Sequence, residues 1–565
     1  MKKGKQQKLF KPDAMLTRLA SALRRDLGGL KQMYSQPSAQ LEFAVSRQDL
    51  EFEKKYLFSD VDSKRLEIEA FEKFESINRH MDGFEPFSVK SSRIQSDTLV
   101  HERHLMRMRA LMYFVLGEFS MDEFFDECKH SSGSTVGCPF SSTSLEAKSR
   151  YPLTVTSRAV PLFEYYLQYD PLFAEALEEF NKGSIVQRYT IVEGSRATTV
   201  EKDSKKRRFI CVEPTVNMFL QQGLMRVIYR RMKAVGLDVE SLPDQHKNRA
   251  KMASITRRES TIDWSSASDC VGIELLRYLL PPEWFYMVWS LRCDFTSILG
   301  RLVPLNMIST MGNAVTFPLE TLVFWTAGHA VRLNRLGSNT LFPEWKDLKR
   351  VSVFGDDCII STEDTPEFIT LCESIGFIVN EEKSFSGEHP FRESCGGDYL
   401  QGYDVRPYNV RSPHNLRKSS LEPWLYIVMN RLLSKYISYF GPRNYVYEKA
   451  LWLEALKLFR ENGLKLKLVP SDFPDDSGLK LRGDHERFLR EYPFEVSRVL
   501  RGDHNTYMFL FMKFNYKEKH ARHDHLRLAE WLKFPPSKKS EPQLYLPVRR
   551  KGGYVVAKGI STHLE

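Results

Sequence analysis

Asp356 and Asp357 stand side by side in "VSVFGDDCII", between two runs of strand-forming residues. A turn needs at most one aspartate for its backbone hydrogen bonding, and like charges repel. The pair is therefore either an ordinary solvated hairpin tip or a seat for something strongly positive. A lone GDD arises by chance in roughly one chain of this length in ten, so the tripeptide needs a partner before it means anything. One is available upstream in "STIDWSSASDC", where Asp263 ends a strand-like segment. If that strand lies beside the hairpin, Asp263, Asp356 and Asp357 form one cluster, and three crowded carboxylates stay ionised only when cations neutralise them. Hard oxygen ligands select Mg2+ or Mn2+, and two such ions are the usual clamp for in-line phosphoryl or nucleotidyl transfer. The implied substrate is a metal-bound phosphate compound.

Other segments carry polar groups suited to such a substrate. In "ISTMGNAVTFPLETLVFW", Ser309, Gly312 and Asn313 form a small-residue loop ahead of an apolar helix. Gly312 lets the backbone approach a ligand closely, while Asn313 serves equally as a donor and acceptor for a ligand or as an N-cap. Further upstream, "EKDSKKRRFICVEP" packs Lys202, Lys205, Lys206, Arg207 and Arg208 together. Such a run is usually a solvated face, but the strand-like FICV after it suggests an arm held against the protein, where cations meet a triphosphate. Lys383 in "GFIVNEEKSF" and Arg392, placed near the tip of a hairpin in "FRESCGGDYLQGYDV", would each pass for surface if read alone.

The elements around these residues follow from their patterning. Val351 and Val353 alternate with Ser352 and Phe354, Gly355 permits a tight turn, and Cys358 to Ile360 resume the apolar run, which predicts a hairpin. Thr261 to Trp264 read as a short strand, and the serines after it begin a helix ending before Pro281-Pro282, with Asp269 in its first turn. Residues 261 to 405 thus mix short strands with apolar helices, the pattern of a sheet backed by helices. At the N-terminal end, Asp13 is placed to cap a helix carrying Leu16, Leu19, Leu23 and Leu27, stopped by Gly28-Gly29. A second helical region runs from Leu99 to Phe125, followed by the loop "HSSGSTVGCPFSSTS", and a third from Pro413 to Gly463. "VPSDFPDDSG" and "FPPSKKSEP" punctuate the remainder with turn chemistry.

Bulk composition sets outer bounds. A chain of 565 residues exceeds a single core, and about three or four lobes are expected. With 82 Lys and Arg against 72 Asp and Glu, the formal charge of +10 favours a polyanionic partner. The eight cysteines include no CxxC pair, which fits a reducing compartment, and the spacing of Cys128, His130 and Cys138 fits no common zinc site. The basic N-terminus lacks an apolar continuation and no run approaches a membrane span, so a cytoplasmic protein with no membrane contact is expected.

Taken in order, "KDSKKRRFICVEPTVNMFLQQG", "DQHKNRA", "IDWSSASD", "STMGNAVTFPLE", "FGDD", "VNEEKSF", "FRESCG" and "NRLL" resemble the RNA-dependent RNA polymerases of positive-strand RNA viruses. The resemblance is strongest to the replicase β subunit of leviviruses, the small RNA bacteriophages, and it runs from about Thr199 to Leu433. It implies an α+β right-hand fold of fingers, palm and thumb, with an antiparallel palm sheet backed by helices. Residues 1–100 would be an N-terminal helical region bridging to fingers and thumb, 101–260 the fingers, and 261–405 the palm with a fingers insertion around 281–303. Residues 406–530 would be a mostly helical thumb and 531–565 a C-terminal tail.

By position, Asp263, Asp356 and Asp357 match the family's metal-binding carboxylates, for two Mg2+ ions that Mn2+ can replace. Asp269 and Asn313 match the pair that senses the ribose, with Ser309 and Gly312 beside them; a 2′-hydroxyl both donates and accepts, so deoxyribose would strand them. Lys202, Lys205 and Arg208 match the basic segment around the incoming triphosphate, and Lys383 the lysine proposed to protonate departing pyrophosphate. The sequence departs from its relatives at Phe354, where Tyr is more frequent, at Pro318, where they have Glu, and in the added charges of Lys206 and Arg207. Pro318 requires the following helix to begin near Thr316 or to bend. The resemblance further implies template and product RNA, NTPs, host elongation factors Tu and Ts, an OB-fold ribosomal protein, and the cytoplasm of a bacterial host. A reverse transcriptase would share the three carboxylates but exclude the 2′-hydroxyl with a bulky residue, which Asp269 and Asn313 oppose. A non-catalytic RNA-binding scaffold would not need all three.

Overall fold

The computed structural model describes residues 11–33, 38–84, 86, 98–139, 143–184, 186–413, 418–441, 446 and 448–480, with the strand residues 500–501, 507–516 and 552–561. "FPPSKKSEP" lies outside the described residues, as do residues 140–142 of the loop that follows the second helical region.

The alternation at Val351–Phe354 folds as the hairpin it implies. Strand Ser352–Phe354 pairs antiparallel with Asp357–Ser361, with Phe354 opposite Asp357, so Gly355 and Asp356 alone make the turn. Gly355 has φ +62°, and a Cβ there would meet the Phe317 ring at 2.6 Å, so only glycine fits. The other edge of Asp357–Ser361 pairs antiparallel with Glu259–Ile262, Ile262 lying opposite Cys358. One step further along both strands sets Asp263 across from Asp357. This three-stranded sheet is as the sequence predicts, its outer strand ending two residues earlier than the patterning suggested.

Helix Thr316–Arg335 lies behind the sheet and is buried on nearly every side, which suits a sequence apolar all round. It approaches closely because Gly328 carries no side chain: a Cβ there would stand 2.7 Å from Val351. Pro318 falls in its first turn, where a missing N–H costs nothing, and the helix starts at Thr316 as expected. Trp264 stacks on Phe324 of this helix, centroids 5.0 Å apart, and meets Phe368 of helix Thr365–Ser374 edge-on.

A second sheet carries the basic run. Strands Gly194–Glu201 and Arg207–Val212 pair antiparallel, which places Lys202–Lys206 in the connection, and Gly194–Arg196 run parallel to Phe295–Ser297. The hairpin Phe295–Ile298 and Arg301–Pro304 therefore returns to this sheet from within the palm segment of the sequence. Phe74 of helix Ser63–His80 stacks on Phe209 at 3.7 Å and fixes the arm from behind.

The N-terminal helices take part in a separate core. Leu16, Leu19, Leu23, Leu27 and Leu30 pack with residues such as Leu425, Leu432, Trp452 and Leu456 from helices Lys418–Phe440 and Ala450–Glu461. Asp26 fastens the two regions, accepting hydrogen bonds from the Ala450 and Leu451 amides and the Tyr436 hydroxyl. Two expectations fail here. Helix Pro12–Met33 runs through Gly28-Gly29, because Leu27 and Leu30 are buried on either side and outweigh a glycine penalty of about 1 kcal/mol each. Asp13 lies inside the first turn rather than before it, and its carboxylate accepts from Tyr56 and Ser59. Beyond Glu461 the described residues form strands, not helices, the longest being Tyr507–Tyr516 paired antiparallel with Gly552–Ser561.

A small sheet, Phe391–Ser394, Gly397–Leu400 and Tyr403–Asp404, flanks the aspartate hairpin. Arg392 is not near its tip: it is the second residue of the first strand and is fully buried. Its guanidinium donates to the carbonyls of Glu259, Gly387, His389 and Phe391, so it ties this sheet to the strand that ends at Asp263. Arg392→Met would strand several of these acceptors at about 1–3 kcal/mol each. The expected loss is about 3 kcal/mol or more, read from the midpoint of urea unfolding; an unchanged midpoint would refute the fastening role.

Candidate active site

The three aspartates lie within reach of one another's charge, and protein donors hold two of them, Asp263 and Asp357. Asp263, just past its strand, accepts from Asn380 Nδ2 at 2.5 Å, and Lys383 Nζ lies 3.8 Å from the same carboxylate. Asp357 accepts from the Ser394 hydroxyl at 3.3 Å and the Cys395 amide at 3.1 Å, both from the turn of the flanking sheet. Asp356, at the hairpin tip, reaches solvent. Enough protein surrounds it that lost hydration, followed by the Asp263 charge, raises its pKa, while Lys383 and Arg208 oppose the shift. Asp357 is pushed up to about 7 by burial first and then by Asp356. The carboxylates therefore repel one another as their spacing in sequence suggested.

The donor chemistry fits hard divalent cations: three neighbouring carboxylates whose repulsion Lys383 and Arg208 offset only in part. As placed, they do not converge on one point, and no group of three or more His, Cys, Asp or Glu side chains among the described residues stands ready to hold a metal.

Proton uptake at this cluster has a measurable sign. Asp357 holds its proton to about pH 7 when folded but only to about 3.8 when unfolded. Between those values the folded state binds more protons, so this group's contribution to stability is present below pH 4 and is lost as pH rises through 7. Asp357→Asn should therefore raise the melting temperature at pH 8 more than at pH 5 in metal-free buffer. An equal shift at both values would refute the coupling.

Cations lie close to the acids. Arg208 is exposed and acts on Asp356, while Lys202 lies near enough to Lys383 and Arg208 that, after lost hydration, they lower its pKa, with Asp263 opposing. For Lys383, burial alone would lower the pKa, yet Asp263, Glu393, Asp356 and Asp357 together raise it. Lys205 is exposed in the same connection, but no described interaction draws its side chain to the acids. Arg207 points elsewhere and donates to Thr199 and Ser63, so it holds the arm together.

Asp269, Ser309, Gly312 and Asn313 form a buried neighbourhood beside the acids. Asp269 lies in a 3-10 turn, Ala267–Asp269, and not in the first turn of an α-helix; the helix proper is Ile273–Leu279. Burial pushes its carboxyl up to about 7 against the pull of the Met311 amide, and its Oδ1 has no hydrogen-bond partner. The Ser309 hydroxyl is likewise buried and unpartnered. Gly312 has φ +119°, and a Cβ there would lie 2.0 Å from the Cys211 carbonyl oxygen, so the loop can lie against the basic arm only with glycine. Asn313 uses Oδ1 to accept from the Val315 amide at 3.0 Å, a turn ahead of helix Thr316–Arg335 rather than the N-cap, whose position Val315 takes, and the amide nitrogen is left for a ligand.

Sequence reasoning missed Glu320. It sits on the helix behind the hairpin, is buried, and is pushed well above the usual carboxylate range by burial, then by Asp356 and Asp269. A single acid within "PLETLVFW" was the available signal, because the lone carboxylate of a helix buried on nearly every side requires a reason. Asn380, Ser394 and the Cys395 amide were also missed, since nothing local marks a residue that serves a carboxylate from another strand.

Residues 32–434 match the family described as RNA replicase, beta-chain. The chain belongs to this RNA replicase beta-chain family. Among related replicase chains, the RNA-directed RNA polymerase beta chain of Enterobacteria phage fr is 30% identical over 406 residues, covering 70% of either chain. That of Enterobacteria phage GA is 32% identical over 312 residues, 55% of this chain and 56% of the relative. The corresponding subunit of Escherichia virus Qbeta is 38% identical over 221 residues, 38% of this chain and 35% of its own. This chain thus spans about half the length of the GA replicase subunit. Among solved structures, the RNA-dependent RNA polymerase of a human picobirnavirus, in an insertion-loop deletion mutant, aligns with a TM-score of 0.42 at 14% identity, over 79% of this chain and 88% of that one.

Proposed function

We propose that this replicase chain is the catalytic subunit that copies RNA from NTPs on an RNA template. The supporting observation is the juxtaposition of Asp263, Asp356 and Asp357 with Arg208, Lys202 and Lys383, each within reach of the others' charge, Lys383 Nζ lying 3.8 Å from Asp263. Acids alone would suit many hydrolases. Acids opposed by long cationic side chains suit a substrate that brings both metal and polyphosphate. The aspartate sheet then acts as palm, the basic sheet as fingers, and the helices of residues 418–461 as thumb, bridged by the N-terminal helices.

Asp263, Asp356 and Asp357 would hold two Mg2+ ions, or Mn2+, which when bound lower the pKa of the attacking hydroxyl and neutralise charge on the departing group. Lys202 and Arg208 would take the β- and γ-phosphates and orient the α-phosphate in line with the 3′-oxygen of the growing strand. That oxygen forms the new bond to phosphorus, and the bond to the β-phosphate oxygen breaks. Lys383, whose Nζ lies 3.8 Å from the Asp263 carboxylate, would give a proton to the leaving pyrophosphate. Asp269 and the Asn313 amide would bind the ribose 2′-hydroxyl. Initiation without a primer, association with elongation factors Tu and Ts and an OB-fold ribosomal protein, and action in the cytoplasm of an infected bacterium belong to the same reading. No helix among the described residues is long and apolar enough to cross a membrane.

The decisive experiment supplies the purified chain, with and without added host factors, a defined RNA, Mg2+ and radiolabelled rNTPs. Template-dependent product is expected; its absence in every combination would overturn the reading.

A further inference from the structure

Away from the acids, a cavity of 620 Å³ opens between the N-terminal region, the segment 406–413 and helix Lys418–Phe440. Lys55, Arg406, Arg411 and Arg431 line it, together with Tyr408 and Trp424, and among the described residues no aspartate or glutamate does. Arg431 is partly answered by Asp475 at 2.5 Å and Arg406 by Asp398 at 3.6 Å. No described carboxylate forms an ion pair with Lys55 or Arg411. Burial, and then Arg406 and Arg411, lower the Lys55 pKa, with only Glu51 opposing, so positive charge is crowded here as negative charge is crowded at the hairpin.

The wall is built before any ligand arrives. Gln48 exchanges two hydrogen bonds with the Tyr408 backbone at 2.9 Å each, and the Asn409 amide donates to the Glu51 carbonyl. The Trp424 indole donates to the Arg411 carbonyl at 2.9 Å, which fixes the floor to the rim. Prolines 407, 413 and 423 with Ile427 supply an apolar side. Arg406 also reaches the catalytic hairpin's neighbour: a side chain at Gly396 would collide with its guanidinium, and Gly396 follows Cys395, whose amide holds Asp357.

We propose that this cavity is a second nucleotide site, binding a phosphate ester through Lys55, Arg406 and Arg411 with the apolar wall against its base or sugar. Guanidinium groups match phosphate oxygens in pairs, and a cavity of this size holds a ligand of nucleotide dimensions. The phosphate comes from an RNA strand or from a free NTP. The proposal deepens the polymerase reading and rests on it only for the identity of the ligand.

The test uses the full chain in EDTA, which removes any contribution of metal at the acids. Binding of a fluorescent 12-nucleotide oligouridylate, of ATP and of polyglutamate is measured across NaCl concentrations for wild type and Lys55→Glu/Arg411→Glu. Lys182→Glu/Lys233→Glu, on exposed residues elsewhere, corrects for the same change in net charge. Relative to that control, affinity for the oligonucleotide or for ATP should fall at least about tenfold. If RNA is the source, the slope of log K against log salt should shrink by about 0.7 for each phosphate that the variant no longer neutralises. A fall for ATP alone assigns the free nucleotide. Unchanged affinity for both, or a fall for polyglutamate alone, overturns the site. Should the reversed pair fail to fold, Lys55→Gln/Arg411→Gln carries the same comparison. Wild-type rNTP incorporation, run in parallel, separates failure of this site from failure of the polymerase reading.

Discussion

Asp356→Asn should abolish nucleotide incorporation and leave RNA binding nearly intact. The asparagine keeps the size of the side chain and the hairpin turn, which depends on Gly355 rather than on residue 356. What it removes is a negative charge that Asp263 and Asp357 both feel. With one charge fewer, the repulsion among the acids relaxes and so does their demand for cations. Losing one donor to a transition-state charge typically costs about 10² to 10³ in rate, and loss of a carboxylate that would hold metal should cost at least that. Single-nucleotide extension on a primed template reads the rate, and fluorescence anisotropy of labelled RNA reads binding. Extension at wild-type rate would remove Asp356 from the site, whereas loss of both activities would assign it a structural role.

Asn313→Ala should reduce the preference for ATP over dATP by about 10- to 100-fold, chiefly by slowing ATP incorporation. The amide nitrogen of Asn313 is left for a ligand while Oδ1 serves the Val315 amide. Removing it leaves the 2′-hydroxyl facing a buried neighbourhood with one partner fewer, a cost of about 1–3 kcal/mol. Alanine also removes the turn contact with Val315, so Asn313→Ser is the companion variant: its hydroxyl can serve the Val315 amide but is too short to replace the amide nitrogen. A selectivity ratio unchanged in both variants would separate Asn313 from sugar recognition. Loss of ratio in alanine alone would trace the effect to the turn contact with Val315.

What could be read in the sequence was whatever depends on neighbours along the chain. The hairpin at Val351–Ile360 follows from alternation and one glycine, and the start of helix Thr316–Arg335 follows from the position of Pro318. The order of short motifs placed Asp263 on the strand beside that hairpin, and the pairing of Ile262 with Cys358 agrees. What could not be read depends on partners far away. Arg392 looked like surface because a sequence does not show which carbonyls lie unpaired around a buried strand. Gly28-Gly29 looked like a stop because the leucines flanking it meet their partners some 400 residues later. Glu320 lay hidden because its environment is made by Asp269 and Asp356, from two other elements.

The core shared by the N-terminal helices and residues 421–459 also governs how the molecule is born. A ribosome adding about 5–20 residues each second needs tens of seconds to travel from Leu30 to Leu421. For that interval the leucine stripe of the first helix has emerged without the surface that will cover it. Asp26 likewise waits for Tyr436, Ala450 and Leu451. A helix made well before the residues that cover it is thus among the last to reach its native packing, and the growing chain passes through a stage that invites capture by chaperones.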